Sequence, residues 1–441
     1  MIACRPTSYR LGLLIAGLSL FAASAADADW RQYRDGADRN AVVAADLGVP
    51  DDRITTLDTP EGVRATPTVI DRDLLVGNNI KGTLQRIDPR SNRRLWQYTA
   101  PNWVHSEMVW SGDTVVVGYG NRYFTSDADP KVPNYARGTD ASGVLALDAA
   151  TGALRWQFRT LGEVMPTPAI VDGRVYAATG SRAIQVLSLA DGHQVGLIRL
   201  GSFVSMSSPA VDDAGRLYVG GGDPYRLFCI DTHDNRIAWR ADFPAMLGGV
   251  DDVPPAVADN VVVTSGVYRT DDKQLFEHRL FAYDAASGQR LWQADLGTGG
   301  PVKNNRSGAP TIANGEVVVG SPTSKQLAAF DLKSGKRLWA LHSGAIKAPP
   351  VIHDGRVYAT TTDAHLLVVD AKSGALQDRL ALGKQPLAPA GPVLAGHDLV
   401  VPSQNHHVYL VPLAYLAQRR QDGRADQAVE AAASQPARTA P

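Results

Sequence analysis

Short apolar runs broken by turns set the character of this chain. Thr167-Pro-Ala-Ile-Val171 is followed by Asp172-Gly173 and then by Arg174-Val-Tyr-Ala177. In most units the next run alternates apolar and polar residues and ends in Asp, and a tight turn then leads to a last run that carries Trp, as at Val144–Trp156. Alternation with period two predicts a strand with one side chain to each face in turn, and the turns predict a four-stranded meander.

The second half of this unit recurs in register. Ala146-Leu-Asp-Ala-Ala-Thr-Gly-Ala-Leu-Arg-Trp156 has counterparts at 86–96, 229–239, 282–292, 329–339 and 368–378, with a degenerate copy at 187–192. Each position has a physical role. The Asp hydrogen-bonds amides of the turn, and Gly, replaced by Asn in two copies, takes the positive φ of a tight hairpin. Trp96, Trp156, Trp239, Trp292 and Trp339 lie eight residues after the Asp, on an outer strand where they pack against the next unit. Four strands per unit, at a spacing of about 40–60 residues, predict an all-β propeller.

The count predicts eight blades. Seven segments carry the repeat, and an eighth starts at Gly391, runs through Leu399–Pro402 and ends at Val408–Val411 without an outer strand. Arg53–Leu57 is an orphan strand that would complete it and close the ring, leaving no free sheet edge at the seam. The domain boundaries follow: a signal peptide at 1–25, an N-terminal lead-in at 26–52, the propeller at 53–416 and a disordered tail at 417–441.

Composition changes the picture in three ways. With 44 Lys plus Arg against 45 Asp plus Glu, the net charge of -1 gives no general attraction for nucleic acid or an anionic membrane. The basic start, the apolar run Leu11–Ala23 and the small residues Ala23-Ser-Ala25 read as an export signal, so a periplasmic location is expected. Of the two Cys, Cys4 departs with the signal and precedes its apolar run, so lipidation is not expected; Cys229 remains as a buried thiol.

The A-x-D-x-x-[ST]-G-x-x-x-W repeat resembles that of the pyrroloquinoline quinone (PQQ)-like propeller superfamily. The opening Trp30-Arg-Gln-Tyr-Arg-Asp-Gly36, with Arg39-Asn40, is similar to the start of its secreted members. The resemblance implies one of two roles. One is a dehydrogenase holding PQQ and a calcium ion on the ring axis. The other is a non-catalytic propeller similar to the lipoprotein of the outer-membrane β-barrel assembly machinery, which offers loops to protein partners. No adjacent Cys pair and no C-x-x-C-H haem site is present, which turns the reading towards the second role.

Polar loops on one face carry the candidate site. Trp103-Val-His-Ser-Glu107, Gly249-Val-Asp-Asp252 and Lys303-Asn-Asn-Arg306 interrupt otherwise bland approaches to the innermost strands, and the long loops 120–142 and 266–279 lie on the same face. Glu107, Asp251, Asp252 and Asn305 are candidate oxygen ligands for calcium. Arg306 and Lys347 are candidates to bind a ligand carboxylate, and Trp103 and His105 to line a cofactor. Asp251 or Asp252 would be the general base of an oxidoreductase. The expectation is a monomeric binding or scaffolding module, without cofactor, for an envelope protein or a small ligand; the alternative is a PQQ- and calcium-dependent dehydrogenase of a small alcohol, sugar or amine.

Overall fold

The computed structural model describes residues 29–125, 136–272, 274–302, 307–387 and 389–423. The proposed signal peptide and residues 424–441 lie outside them. Eight sheets form, each a meander around the four-strand plan. Blade 1 is Thr68–Ile70, Asp73–Gly77, Thr83–Asp88 and Arg93–Thr99. Blades 2 to 7 start at the inner strands Val109–Ser111, Ala169–Val171, Ala210–Val211, Ala256–Ala258, Pro310–Ala313 and Val351–His353. Blade 8 is Val393–Ala395, Asp398–Pro402 and His407–Pro412, completed by Thr55–Asp58, which pairs antiparallel with His407–Pro412. The all-β, eight-bladed ring closed by an N-terminal strand is thus the observed architecture.

The Trp of one blade docks on the turn of the next. Trp96 donates its indole N–H to Ala149 O at 2.9 Å, Trp156 to Leu189 O at 2.8 Å and Trp239 to Ala285 O at 3.0 Å. Trp292 bonds Leu332 O at 2.8 Å and Trp339 bonds Ala371 O at 2.7 Å. The ring lies on the turn glycine: a Cβ added at Gly152, Gly192, Gly288, Gly335 or Gly374 would sit 2.5–2.7 Å from an indole carbon. The glycine therefore serves two needs, a positive φ and the absence of a side chain under the ring.

Where the Trp is missing, something else bridges the blades. The third blade has Gly196 in its place, and the next turn has Asn235 in place of Gly. Tyr176 of blade 3 donates instead, to Thr232 O at 3.0 Å and Asn235 Oδ1 at 2.9 Å. The seventh blade has Asp378, fully buried and paired with Arg419 at 3.3 Å. Arg419 lies on a helix, Leu413–Gln421, that follows the last strand. This corrects the reading of a disordered tail from 417: the helix continues to Gln421, because its arginine answers a buried carboxylate on another blade.

The lead-in does more than reach the closing strand. Each innermost strand presents amides with no further strand to pair, and Trp30–Val43 runs around the axis and bonds the innermost strand of seven blades in turn. Trp110 N, Ile170 N, Val257 N, Ile312 N and Leu394 N donate to the carbonyls of Trp30, Arg31, Ala37, Asp38 and Ala41 at 2.7–2.9 Å. The side chains of Gln32 and Asn40 make paired bonds with Val211 and Ile352. Val42–Val43 then adds to blade 8 in parallel.

Candidate functional site

The lead-in closes one end of the axial channel. Arg34 and Arg39, both in left-handed backbone, are fully buried. Arg34 donates to the carbonyls of Arg39, Pro350 and Pro392, and Arg39 to those of Tyr33, Ser208 and Pro255. Two guanidiniums thereby tie blades 4, 5, 7 and 8 to one segment. Tyr33 faces the space above this floor, and the Arg34 N–H is bonded to Glu107 Oε2 at 2.9 Å.

Above the floor a funnel opens on the face of the polar loops. A narrow part of about 40 Å³ is lined from all eight blades, by Arg64, His105, Thr167, Ser208, Asp252, Ser307, Lys347 and Pro389 among others. It shares Arg64, His105, Met165, Met206 and Asp252 with a wider part of about 260 Å³, whose wall adds Arg122, Arg137, Ser205 and Asp251.

The charges on this wall interact strongly. Burial holds the His105 imidazole well below its ordinary value, and Arg64, Arg137 and Arg122 push it lower still, so the ring is neutral. Burial lowers Lys347, with Arg64 acting in the same sense and Asp252 against it. Burial and Arg122 lower Arg64. Burial raises Glu163 to about 8, against the pull of Arg137 and with a further push from Asp252. Asp251 is raised by burial and by Asp252, with Arg137 opposing. Glu107 is raised to about 7 by burial, with the bond from Arg34 opposing. Buried carboxyls move towards the neutral form while the guanidiniums stay charged, so the funnel favours an anion.

The residues expected from sequence fall into three groups. His105, Asp251, Asp252 and Lys347 line the funnel. Glu107 sits at the floor, engaged with the lead-in, and Trp103 stands behind His105, its ring 6.0 Å from the imidazole and 5.5 Å from Tyr123. Asn305 and Arg306 lie outside the described residues. Among the described residues no three His, Cys, Asp or Glu side chains gather as a metal site. Arg64, Arg122, Arg137 and Glu163 were missed. Arg64 directly precedes the bland Ala65-Thr66-Pro67, and Glu163 stands three residues before Pro166-Thr167-Pro168, so a window one turn wider would have included both.

The family model described as outer membrane protein assembly factor BamB matches residues 134–195 and 200–416, over half of the chain. The chain belongs to this family. Within the PQQ-like propellers, the BamB family is joined by relatives of other names. A tetrathionate hydrolase of Acidithiobacillus ferrooxidans is 31% identical over 289 residues, 63% of this chain and 57% of that protein. The chain thus spans little over half the length of that relative. BamB of Yersinia pestis is 23% identical over 352 residues, 75% of this chain and 79% of its own. Among solved structures, BamB from Moraxella catarrhalis superposes with a TM-score of 0.61 at 18% identity, over 80% of this chain and 97% of that one. A europium-containing methanol dehydrogenase gives 0.60 at 12% identity, over 85% and 89%. These structural likenesses carry the fold.

Proposed function

We propose that this BamB-family propeller is an exported, periplasmic binding protein whose axial funnel takes a small, multiply charged anion. The observation that carries the reading is the convergence of Arg64, Arg122 and Lys347, from blades 1, 2 and 7, on one funnel beside buried carboxyls raised towards neutrality. The likeness to a protein named for tetrathionate supports a linear sulfur oxyanion as the ligand class. Calorimetry at low ionic strength tests it. Tetrathionate or sulfate should bind saturably, about tenfold or more weakly in Arg64→Ala and Lys347→Ala, and more weakly as salt is raised. Absence of saturable binding of either anion would overturn it.

A protein partner on the same face is the second reading. Family membership supports it, and so do Ile80, Tyr123 and Leu161, 58%, 45% and 81% exposed on the loops of blades 1 to 3. Capture of one defined envelope protein, lost in Leu161→Asp and retained in Arg64→Ala, would favour it.

A PQQ- and calcium-dependent dehydrogenase draws support from the methanol dehydrogenase fold. The quinone would supply two-electron redox chemistry, and Arg64, Arg122 and Lys347 could hold its carboxylates. The metal donors fit less well, since Glu107 already accepts from the lead-in and no acidic trio gathers among the described residues. Quinone absorbance and dye reduction after adding PQQ and calcium test this role.

A further inference from the structure

We infer that the funnel takes up its anion together with a proton, with Glu163 as the proton acceptor and Arg137 as the cation it then releases to the ligand. The inference rests on the anion-binding reading above and adds its regulation.

The geometry is that of a built device. Glu163 is fully buried behind Arg137, which lines the wider part of the funnel. Its Oε1 accepts from Arg137 Nη1, which also bonds Ser205 Oγ, so the guanidinium is held against the wall. Its Oε2 is buried and has no hydrogen-bond partner, and neither has Oδ1 of Asp251, a residue that lines the wider part of the funnel. The backbone around the pair is locked: Arg137 N donates to Gly180 O at 3.0 Å, Glu163 N to Arg137 O at 2.8 Å and Gly180 N to Glu163 O at 2.9 Å. Glycines permit this approach. A Cβ at Gly138 would lie 2.3 Å from Glu163 N, and one at Gly180 would lie 2.1 Å from Arg137 O.

The groups facing Glu163 set the direction of the response. Arg137 lowers it; Asp252 raises it; Asp251 lies within the same electrostatic cluster. Arg64, Arg122 and Lys347 face the funnel, and His105 is neutral and ringed by three arginines, so it accepts no proton. A dianion entering this space adds negative charge next to a buried carboxylate. That disfavours the ionised form of Glu163 further and draws in a proton. Neutral Glu163 no longer competes for Arg137, whose guanidinium can then bond the ligand oxygens. The balance is one anion and one proton in, with no bond broken.

Proton linkage reads this directly. Tetrathionate and sulfate are titrated into the full protein from about pH 6 to pH 9, in buffers of different ionisation enthalpy. The expected result is a constant affinity on the acid side, falling towards about tenfold per pH unit above about pH 8, with proton uptake approaching about one per anion there. Glu163→Gln should abolish the uptake and flatten the profile. Asp251→Asn and Lys347→Arg, the latter cationic at every pH used, should retain it. Anion binding without uptake in the unaltered protein overturns the inference, even if Glu163→Gln fails to fold. Uptake that survives Glu163→Gln, or vanishes in Lys347→Arg, overturns it too. All of these leave the anion site standing, whereas no binding at any pH removes that reading as well.

Discussion

Burial of a charge is tolerated at two kinds of residue here, and they behave differently. Arg34 and Arg39 keep their charge by donating to backbone carbonyls of several blades, the pairing that a planar guanidinium makes well. Glu163 instead lies where ionisation is costly, and its carboxyl is raised from 4.5 to about 8. The sign of its effect on stability follows. Below 4.5 both folded and unfolded states hold the proton; between 4.5 and about 8 the unfolded chain loses it and the folded protein does not. Stability should therefore fall as pH rises through this window, by up to about 1.4 kcal/mol per pH unit for one group. Urea denaturation of Glu163→Gln should show a shallower fall than the unaltered protein. An identical slope in both would assign the effect elsewhere.

At the scale of the hairpin, two glycines separate conformation from contact. Gly335 has φ 69° and lies under the Trp292 ring, where a Cβ would be 2.5 Å from Cδ2; Gly315 has φ 75° with nothing within 4 Å of a Cβ. Alanine at Gly315 meets the left-handed backbone alone, at a cost of about 1 kcal/mol. Alanine at Gly335 also displaces the indole and should cost about 2 kcal/mol or more beyond that. Equal denaturation midpoints for the two variants would mean that the indole contact adds nothing. In the bridge between blades 3 and 4 the Tyr176 hydroxyl works beside Arg174, whose guanidinium also donates to Thr232 O at 3.2 Å. Tyr176→Phe leaves Thr232 O and Asn235 Oδ1 without this donor and should cost about 1–2 kcal/mol. A Tm unchanged from that of the parent protein would show that this seam holds without the Tyr176 hydroxyl.

The whole ring depends on joining its first strand to its last. Thr55–Asp58 pairs with His407–Pro412 over four residues, and among the described residues no other strand covers that edge. Deleting Thr55–Asp58 leaves blade 8 with an open outer edge, so that only the inner pairing of Val42–Val43 joins the N-terminal segment to it. The deletion should lower the melting temperature of the entire domain in one transition. Loss confined to blade 8, seen as protection from hydrogen exchange retained in blades 2 to 6, would mean that closure is local.

Much of the fold was legible because its contacts are local or between neighbours. Asp, Gly and Trp at fixed spacing specify a hairpin and the surface that receives the next one, so seven copies and an orphan strand suffice to predict the ring. Cys229, in the run Leu227–Ile230, was readable as a buried thiol for the same reason, and burial pushes it up to about 12. Other features needed the closed ring. The Asp378–Arg419 pair and the path of Trp30–Val43 join positions far apart in sequence, with no spacing to announce them. The funnel is the extreme case: Arg64, Arg122, Arg137, Asp251 and Lys347 line it from four blades, with Glu163 behind Arg137, and no single spacing in the sequence announces them. By itself the sequence determined the repeating unit, the number of units and the strand that seals them. Only the tertiary structure decided which charges meet on the axis, because ring closure sets those distances and burial there sets which carboxyls keep their protons.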